Sequence, residues 1–287
     1  DIAVVSNPEF LREGTALVDF MKPDRIVIGA DNAAAGQAVA ELYAALEAPV
    51  LQTTLTSAEL IKYAANAFLS VKLSFVNDLA ALCDATGGDI SEVAHGIGLD
   101  SRIGPHFLKP GPGWGGSCFP KDAKALNALA EKSHIDLPLV TAAIASNERA
   151  NRRVIDMVAS HLPSGFSGSR IACWGVAFKA HTDDTRESPA VAVMRRLHAA
   201  GATVVAHDPV AVLPAGVPAT QVATLEETVA GADALVVLTE WPEYQAADAA
   251  PLVGLMRTAA VVDTRNVLDH DDWRAAGAIV TVLGRPQ

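Results

Sequence analysis

The chain has 287 residues, enough for about two domains, and its formal charge of −11 argues against nucleic acid as the main partner. No apolar run reaches the roughly 18 residues that cross a membrane, so no membrane partner is expected, and no signal-peptide pattern opens the chain. Three scattered cysteines indicate a reducing cytoplasm rather than a disulfide framework.

Residues 1–55 alternate short apolar runs with one helical pattern, which is typical of half an α/β unit. The predicted elements are strands at 2–5, 25–29 and 49–53 and a helix at 33–46. The chain starts at Asp1 without a methionine, which looks like a start in the middle of a domain.

Residues 56–165 are predicted to be mainly helical, and the longest helix runs from 58 to 86. Thr56 and Glu59 form a T-x-x-E capping box at its start, and Gly87-Gly88 ends it. A second helix follows Cys118, and a third runs from Leu139 to about Leu162. The long apolar helix suits the core of a homodimer or a higher homo-oligomer.

Residues 166–287 alternate apolar strands with helices after a linker at 165–168, which predicts a doubly wound parallel sheet of the Rossmann-like type. Helices centre near 194, 228 and 273. The predicted strands are Arg170–Trp174, Thr203–His207, Ala234–Leu238, Ala260–Asp263 and Ile279–Leu283. Because ligands bind beyond the carboxyl ends of such strands, we expect contacts from residues 175–179 and 263–265.

The sequence GPGWGGSCFPKD at 111–122 brings a cysteine to a predicted helix start after four glycines in six residues. A helix N-terminus and the nearby Lys121 both favour the thiolate of Cys118 over the thiol. The loop also spells G-x-G-x-x-G, but no strand precedes it, which argues against a dinucleotide fingerprint. Cys83 and Cys173 fall in apolar patterns and are expected to be buried and inert.

Three further groups of polar residues could carry chemistry or lie on solvated faces. Glu9 and Glu13 share a face if their turn is helical, and so do Lys62 and Asn66, four residues apart in an apolar helix. The charged residues 179–187 lie at a strand–turn–helix junction of the kind that holds phosphates. The eight histidines show no spacing of metal ligands, and no metal is expected.

Six ordered stretches together resemble the nucleotide-sugar 6-dehydrogenases, most closely the UDP-glucose 6-dehydrogenases. GGSCFPKD is the most specific of these motifs. The stretches are SNPEFLREGTA (6–16), PDRIVIG (23–29), ELIKYAANAFLSVKLSFVND (59–78), DSRIGPHFLKPGPGWGGSCFPKD (100–122), FKAHTDDTRESPA (178–190) and VVDTRN (261–266).

The resemblance implies oxidation of a UDP-glucose C6 alcohol to a carboxylate with two NAD⁺. It assigns Cys118 as the nucleophile of a thiohemiacetal and a thioester, Lys62 and Asn66 as oxyanion-stabilising residues, and Asp122 as the residue that orients the lysine and a water. Glu9 matches a general acid–base, and Glu13 lies at the substrate–cofactor junction.

Substrate contacts and cofactor contacts are implied in the same way. Arg265 matches an arginine that reaches across a dimer to the sugar. Glu13, Lys121 and Arg186 match residues near NAD. The remaining substrate-binding residues are Phe10, Leu11, Arg102, Phe107, Leu108, Lys109, Pro110, Gly111, Gly115, Phe178 and Lys179.

One departure from the family pattern concerns the cofactor. The family begins with a Rossmann domain carrying G-x-G-x-x-G after its first strand, and residues 1–55 resemble only the last portion of that domain. We therefore expect a fragment or a processed form of such an enzyme, and a polypeptide of these residues alone is expected to bind a UDP-sugar with little or no turnover. GDP-mannose and UDP-N-acetyl-mannosamine dehydrogenases are alternatives, and so is a non-catalytic nucleotide-sugar-binding or dimerisation fragment.

Overall fold

A three-stranded sheet occupies the first part of this computed structural model, which describes residues 2–285. Its strands are β1 (Val5–Ser6), β2 (Ile26–Ala30) and β3 (Val50–Thr53), in the order β1-β2-β3. β2 pairs with β3 in parallel and with β1 antiparallel. The expected strand over 2–5 is therefore wrong for most of its length, because only Val5 of that stretch pairs with another strand.

Two helices accompany this sheet. The sequence patterns missed α1 (Ala16–Met21), which has no buried residue and hence no apolar face turned to a core. α2 (Ala33–Leu42) begins where Asn32 Oδ1 accepts a hydrogen bond from the N–H of Ala35 at 3.1 Å. It is shorter than the predicted helix 33–46.

The central region consists of four helices packed around the longest one. They are α3 (Leu55–Thr86), α4 (Ile90–Gly98), α5 (Phe119–Lys132) and α6 (Pro138–Ala159). α3 ends as predicted at Gly87, whose φ of 81° is a left-handed conformation that glycine adopts without strain. α4 was not predicted.

The predicted capping box at the start of α3 is wrong. Thr54 is the capping residue, and its Oγ1 accepts from the N–H of Ser57 at 3.1 Å. Glu59 lies within the helix and accepts a hydrogen bond from the hydroxyl of Ser6 instead. The side chain of Glu59 thereby ties the helix to the strand β1.

The C-terminal region is a six-stranded, wholly parallel sheet in the order β6-β5-β4-β7-β8-β9. The strands are β4 (Arg170–Trp174), β5 (Thr203–His207), β6 (Thr220–Gln221), β7 (Ala234–Val237), β8 (Ala260–Asp263) and β9 (Ile279–Val282). The helices are α7 (Pro189–Ala199), α8 (Leu225–Val229), α9 (Pro242–Gln245), α10 (Ala249–Leu255) and α11 (His270–Ala275). The doubly wound prediction is confirmed; β6, α9 and α10 were missed.

The core of the C-terminal sheet continues into the central helices. Trp174 of β4 is fully buried and stacks on Tyr244 with ring centroids 5.1 Å apart. The same apolar cluster includes Val76 of α3 and Val154 of α6. Because burying one large apolar side chain contributes roughly 1.5–3 kcal/mol, this shared core fixes the central helices against the edge of the sheet where β4 and β8 end.

Candidate active site

Cys118 occupies the N-cap of α5, as the sequence predicts, with Pro120 in the first turn. It closes an irregular stretch, residues 111–118, which we name the cysteine loop. Cys118 is half-buried, whereas Cys83 and Cys173 are buried. Burial raises the pKa of the Cys173 thiol, so the one accessible cysteine is the one at the helix start.

Three asparagine side chains from α3 and α6 hold the backbone of the cysteine loop: Asn77, Asn147 and Asn151. Asn147 bonds both backbone groups of Trp114, accepting from its N–H at 2.7 Å and donating to its carbonyl at 2.9 Å. Asn77 accepts from the N–H of Gly111 at 2.8 Å, and Asn151 donates to the carbonyl of Pro112 at 2.5 Å. Uncharged asparagine side chains thus form hydrogen bonds with backbone groups of Gly111, Pro112 and Trp114.

The glycines of this loop lie directly against the C-terminal region. A Cβ atom on Gly115 would overlap the carbonyl oxygen of Glu187. One on Gly116, whose φ is +82°, would lie 2.9 Å from the ring of Phe178. The glycines therefore allow close contact between two regions, and they do not form a strand–turn–helix dinucleotide motif.

Lys62 and Asn66 lie one turn apart on α3, as predicted, and each binds a carboxylate. Asn66 Nδ2 donates to Asp122 Oδ2 at 2.6 Å, and the side chain of Asp122 is 1% exposed. Lys121 forms an ion pair with the other oxygen of Asp122. Lys62 is held by Glu9, and the role of Asp122 in orienting Lys62 and a water stays a prediction.

Lys62 Nζ donates to the backbone carbonyl of Glu9 at 2.6 Å and to its Oε1 at 2.9 Å. Partial burial acts to raise the pKa of Glu9, but hydrogen bonds from Lys62 and from the N–H of Leu11 outweigh it and lower the pKa. The hydrogen bond to Asp122 raises the pKa of Lys121. The site therefore holds ionised pairs on both sides of Asn66.

Glu9 and Glu13 do not share a helical face, because residues 7–12 adopt no regular structure. We name residues 7–15 the glutamate segment. The carboxylate of Glu13 accepts from Ser117 Oγ at 2.8 Å and from Thr182 Oγ1 at 3.3 Å, and lies 3.6 Å from Arg186. The two carboxylates thus face different partners, one towards α3 and the other towards Cys118.

The loops after β4 and β8 meet at one edge of the sheet. Lys179 Nζ donates to the backbone carbonyl of Glu13 at 2.7 Å. The guanidinium of Arg265 donates to the carbonyls of Leu238 at 2.8 Å and Phe178 at 3.2 Å. A Cβ on Gly111 would lie 2.9 Å from Arg265 Nη1. Arg265 therefore lies beside the cysteine loop of its own chain, and its reach across a dimer stays a prediction.

The structure does not bring Arg102 to this cluster. Its side chain is 86% exposed and pairs with Asp100 at 2.5 Å. Leu108 and Pro110 are buried and Lys109 is exposed. The ring of Phe107 lies 6.1 Å from that of Phe119.

Phe10 of the glutamate segment lies beside two cations. The guanidinium of Arg25 is 3.8 Å above its ring, and Lys62 Nζ lies 5.5 Å from the ring centroid. The next residue, Leu11, is exposed.

Several functional contacts were missed in the sequence. Ser117 Oγ lies 3.5 Å from Cys118 Sγ as well as bonding Glu13, and neither role has a spacing signal. The pair Asn147 and Asn151 could have been found, because two amides four residues apart on one helix indicate a polar stripe. The contacts of Thr182 and Arg25 depend on tertiary structure alone.

Cations near Cys118 fit an anionic cofactor. The side chains of Lys121 and Arg186 are 66% and 69% exposed; Lys121 follows Cys118 by three residues on α5, and Arg186 lies 3.6 Å from Glu13, which Ser117 links to Cys118. Within residues 2–285, the sequence G-x-G-x-x-G at 111–116 follows no strand. The described chain therefore has side chains that could contact NAD, but this motif does not form the strand–turn–helix that binds the pyrophosphate of a dinucleotide. Over the same residues we find no metal-ligand cluster and no helix of the length and apolarity that a membrane span requires.

The fold and the site define an α/β protein with an accessible cysteine enclosed between a helical region and a Rossmann-like sheet. Three models of the UDP-glucose/GDP-mannose dehydrogenase family match it: the NAD binding domain over residues 1–47, the central domain over 56–149 and the UDP binding domain over 172–270. The chain belongs to this family, which confirms the resemblance found in the sequence.

Individual relatives agree. The chain is 44% identical over its full length to UDP-glucose 6-dehydrogenase of Rhizobium meliloti, covering 67% of that protein. It is 43% identical to UDP-glucose 6-dehydrogenase TuaD of Bacillus subtilis, over 99% of this chain and 62% of that protein. The chain therefore spans about two thirds of the length of these curated relatives.

Solved structures give the same picture. A UDP-glucose dehydrogenase from Pyrobaculum islandicum superposes with a TM-score of 0.87 at 38% identity, over 98% of this chain and 62% of that one. A UDP-D-ManNAc dehydrogenase from Pyrococcus horikoshii superposes with a TM-score of 0.87 at 28% identity, over 99% of this chain and 65% of that one.

Proposed function

We propose that the chain carries the substrate site and the cysteine chemistry of an NAD-dependent UDP-glucose 6-dehydrogenase, which converts UDP-glucose to UDP-glucuronate. The observation that carries this proposal is the convergence of Cys118 with two carboxylate-bearing clusters, Lys62–Glu9 and Asn66–Asp122, at the edge of the C-terminal sheet. The relatives named UDP-glucose 6-dehydrogenase support the choice of substrate.

NAD, when bound, takes up a hydride from C6 in each of two oxidations. Lys62 and Asn66 present a cation and an amide N–H from one line of α3, suited to hold the C6 oxygen when it carries negative charge. Asp122 fixes Asn66 through the 2.6 Å hydrogen bond, so the amide is set before substrate arrives. Glu13, Lys121 and Arg186 form the side of the site that faces the cofactor.

Cys118 attacks the C6 aldehyde to form a thiohemiacetal, which becomes a thioester after the second oxidation. A cysteine is required because its thioester forms readily and then yields to water. Glu9 acts as the general acid–base of that hydrolysis, with Lys62 keeping it ionised at neutral pH.

The nucleotide half of the substrate lies along the loops that follow β4 and β8. Lys179 and Arg265 supply positive charge for its phosphates. Arg102, exposed on its loop, is an additional substrate contact whose partner lies outside the cluster just described. The remaining substrate-binding residues in this proposal are Phe10, Leu11, Phe107, Leu108, Lys109, Pro110, Gly111, Gly115 and Phe178.

GDP-mannose and UDP-N-acetyl-mannosamine are alternative substrates, and the Pyrococcus structure makes the latter a specific second candidate. Calorimetric titration with each nucleotide sugar tests the choice. We expect UDP-glucose to bind at least tenfold more tightly than GDP-mannose, and Lys179→Ala to weaken UDP binding. Absence of any UDP or UDP-glucose binding would overturn the proposal.

NADH formation separates catalysis from binding. Cys118→Ser should still bind UDP-glucose but form no NADH, and any NADH that the wild-type protein forms with added NAD should amount to two per UDP-glucose oxidised. If the wild-type chain binds the sugar nucleotide without forming NADH, the non-catalytic binding function is the better description of this chain.

The proposed organisation has three parts: residues 1–55 from an NAD-binding domain, 56–165 as the helical domain with Cys118, and 166–287 as the UDP-sugar-binding domain. A homodimer is supported by an exposed stripe on α3, in which Phe68 is 65%, Phe75 53% and Leu82 56% exposed. Light scattering of Phe75→Ser tests it. A reducing compartment such as the cytoplasm would keep Cys118 free.

A further inference from the structure

Cys118 makes one side-chain hydrogen bond within residues 2–285, and it is to a hydroxyl that is itself bonded to a carboxylate. Ser117 Oγ lies 3.5 Å from Cys118 Sγ and donates to Glu13 Oε1 at 2.8 Å. A hydroxyl has one proton to give and two lone pairs with which to accept. Since the proton of Ser117 goes to Glu13, its oxygen is free to accept the proton of the Cys118 thiol.

Covalent trapping of an aldehyde requires that proton to leave. The thiolate is the nucleophile, and a thiol at its ordinary pKa near 8.5 is only a few per cent ionised at neutral pH. Within residues 2–285 the side chains of Lys62, Asn66 and Asp122 form no hydrogen bond with Cys118 Sγ: Lys62 binds Glu9, and Asn66 binds Asp122. Glu13 is the carboxylate that the structure connects to it.

We propose that Ser117 relays the thiol proton of Cys118 to Glu13 during attack on the C6 aldehyde. The S–H bond breaks as its proton passes to Ser117 Oγ, and the proton of Ser117 passes to Glu13 Oε1. The sulfur electron pair forms the C–S bond, while the carbonyl electron pair moves to the C6 oxygen. This inference rests on the proposed function, because the aldehyde is the partner of that attack.

The same relay runs backwards when the thioester is hydrolysed. The C–S bond then breaks with its electron pair on sulfur, and the proton stored on Glu13 returns through Ser117 to restore the thiol. The relay is therefore neutral in protons over one turnover, and it requires no co-reactant beyond those of the proposed reaction.

Charged groups from two parts of the chain, the loop between β4 and α7 and the helix α5, lie near this relay. Arg186 lies 3.6 Å from Glu13 and also pairs with Asp184, and Lys179 binds the backbone carbonyl of Glu13. Lys121, on α5, pairs with Asp122. A proton can pass to Glu13 when its side chain is a carboxylate.

The pH dependence of alkylation of Cys118 by iodoacetamide tests the relay without substrate or cofactor. Cys83 and Cys173 are buried, so intact mass reports Cys118, and Cys118→Ala should remain unlabelled. If a carboxylate accepts the thiol proton, the wild-type labelling rate should become independent of pH between about pH 5 and 7. In that range carboxyl groups are ordinarily ionised and thiols are not. Ser117→Ala and Glu13→Gln should both be about tenfold slower, or more, at pH 6.

Two controls keep the result specific. Ser117→Thr retains a hydroxyl and should retain most of the wild-type rate, and Ser91→Ala, on the exposed start of α4, should be indistinguishable from wild type. Thermal melting and UDP binding establish that each variant is folded. If UDP binding fails in the wild-type protein, the proposed function fails, and with it the role of the relay in aldehyde attack; the labelling series then still reports whether a proton path joins Cys118 to Glu13.

The relay is overturned if Glu13→Gln labels at the wild-type rate or faster. Faster labelling is the result expected if the Glu13 charge merely disfavours the thiolate, which makes the two explanations opposite in sign. A slower Ser117→Ala with an unchanged Glu13→Gln would also overturn it, because the hydroxyl would then position the sulfur without passing its proton on.

Discussion

The cysteine loop and the glutamate segment are both irregular, and both deliver reactive side chains to the same site, but they are held in different ways. The cysteine loop is mostly buried, and its backbone is bonded by the neutral amides of Asn77, Asn147 and Asn151. The glutamate segment is mostly exposed, and its main ties are ionic: Glu9 with Lys62, Glu13 with Arg186, and Arg12 with Asp19.

This difference separates what folding fixes from what solution conditions can change. Buried neutral hydrogen bonds are insensitive to salt and to pH near neutrality, whereas exposed ion pairs are screened by salt and lost when a partner is neutralised. The position of Cys118 is therefore fixed by buried hydrogen bonds, whereas the positions of Glu9 and Glu13 depend on their ionisation.

The largest effect should come from filling the space beside Gly115. Gly115→Ala would drive a methyl group into the backbone carbonyl of Glu187 and against Pro189 Cδ, 2.8 Å from the added atom. Backbone cannot rotate away as a side chain can, so we expect a loss of about 3 kcal/mol in free energy of unfolding, at the upper end for overpacking. Urea denaturation measures it, and UDP-glucose binding should weaken in parallel.

The matched control is a glycine with open space around it. Gly96 lies in α4, and nothing lies within 4 Å of the Cβ that an alanine would add. Gly96→Ala should therefore stabilise the protein by roughly 0.5–1 kcal/mol through helix propensity. Similar effects of the two substitutions would show that the cysteine loop is not rigidly enclosed.

A smaller loss is expected when one amide is removed from beneath the loop. Asn151 is 5% exposed, and Asn151→Ala would leave the buried carbonyl of Pro112 without its donor. We expect the free energy of unfolding to fall by about 1–2 kcal/mol. Gln37→Ala on α2 is the control, because the exposed hydrogen bond from Gln37 to Glu41 should contribute less than about 0.5 kcal/mol. Equal losses would contradict the special role of the buried amide.

The same contrast explains how much the sequence could predict. The sequence predicted five strands of the C-terminal sheet to within one residue: β4, β5, β7, β8 and β9. Strands of a parallel sheet that is buried on both faces have short, continuous apolar sequences, which are easy to recognise. The placement of Cys118 at a helix start was predicted from Pro120 and the glycines before it, since backbone conformation there is set by local sequence.

The conformation of the glutamate segment could not be predicted from its local sequence. The i, i+4 spacing of Glu9 and Glu13 suggested a helix, but Lys62 and Ser117 draw the two carboxylates to different neighbours. Those partners are 53 and 104 residues away along the chain, so no local pattern records them. The closeness of Arg265 to Gly111 was missed for the same reason, because only the folded sheet brings the two together.

The smallest effect concerns the pH dependence of the glutamate segment. Burial opposes ionisation of Glu9, but hydrogen bonds from Lys62 and Leu11 lower its pKa, and the hydrogen bond from Arg12 holds the pKa of Asp19 well below its usual range. A carboxyl whose pKa is lowered by folding stabilises the protein above its ordinary pKa and loses that contribution as pH falls through the folded value.

Lys62→Met removes this contribution from Glu9. We therefore expect wild-type protein to lose more free energy of unfolding between pH 7 and pH 3 than Lys62→Met does, by less than about 1 kcal/mol because the Glu9 side chain is 56% exposed. Asn151→Ala should keep the wild-type pH dependence, because its hydrogen bond does not titrate. If Lys62→Met and wild type lose equal amounts, the glutamate segment is held by packing, and the two segments are fixed in the same way.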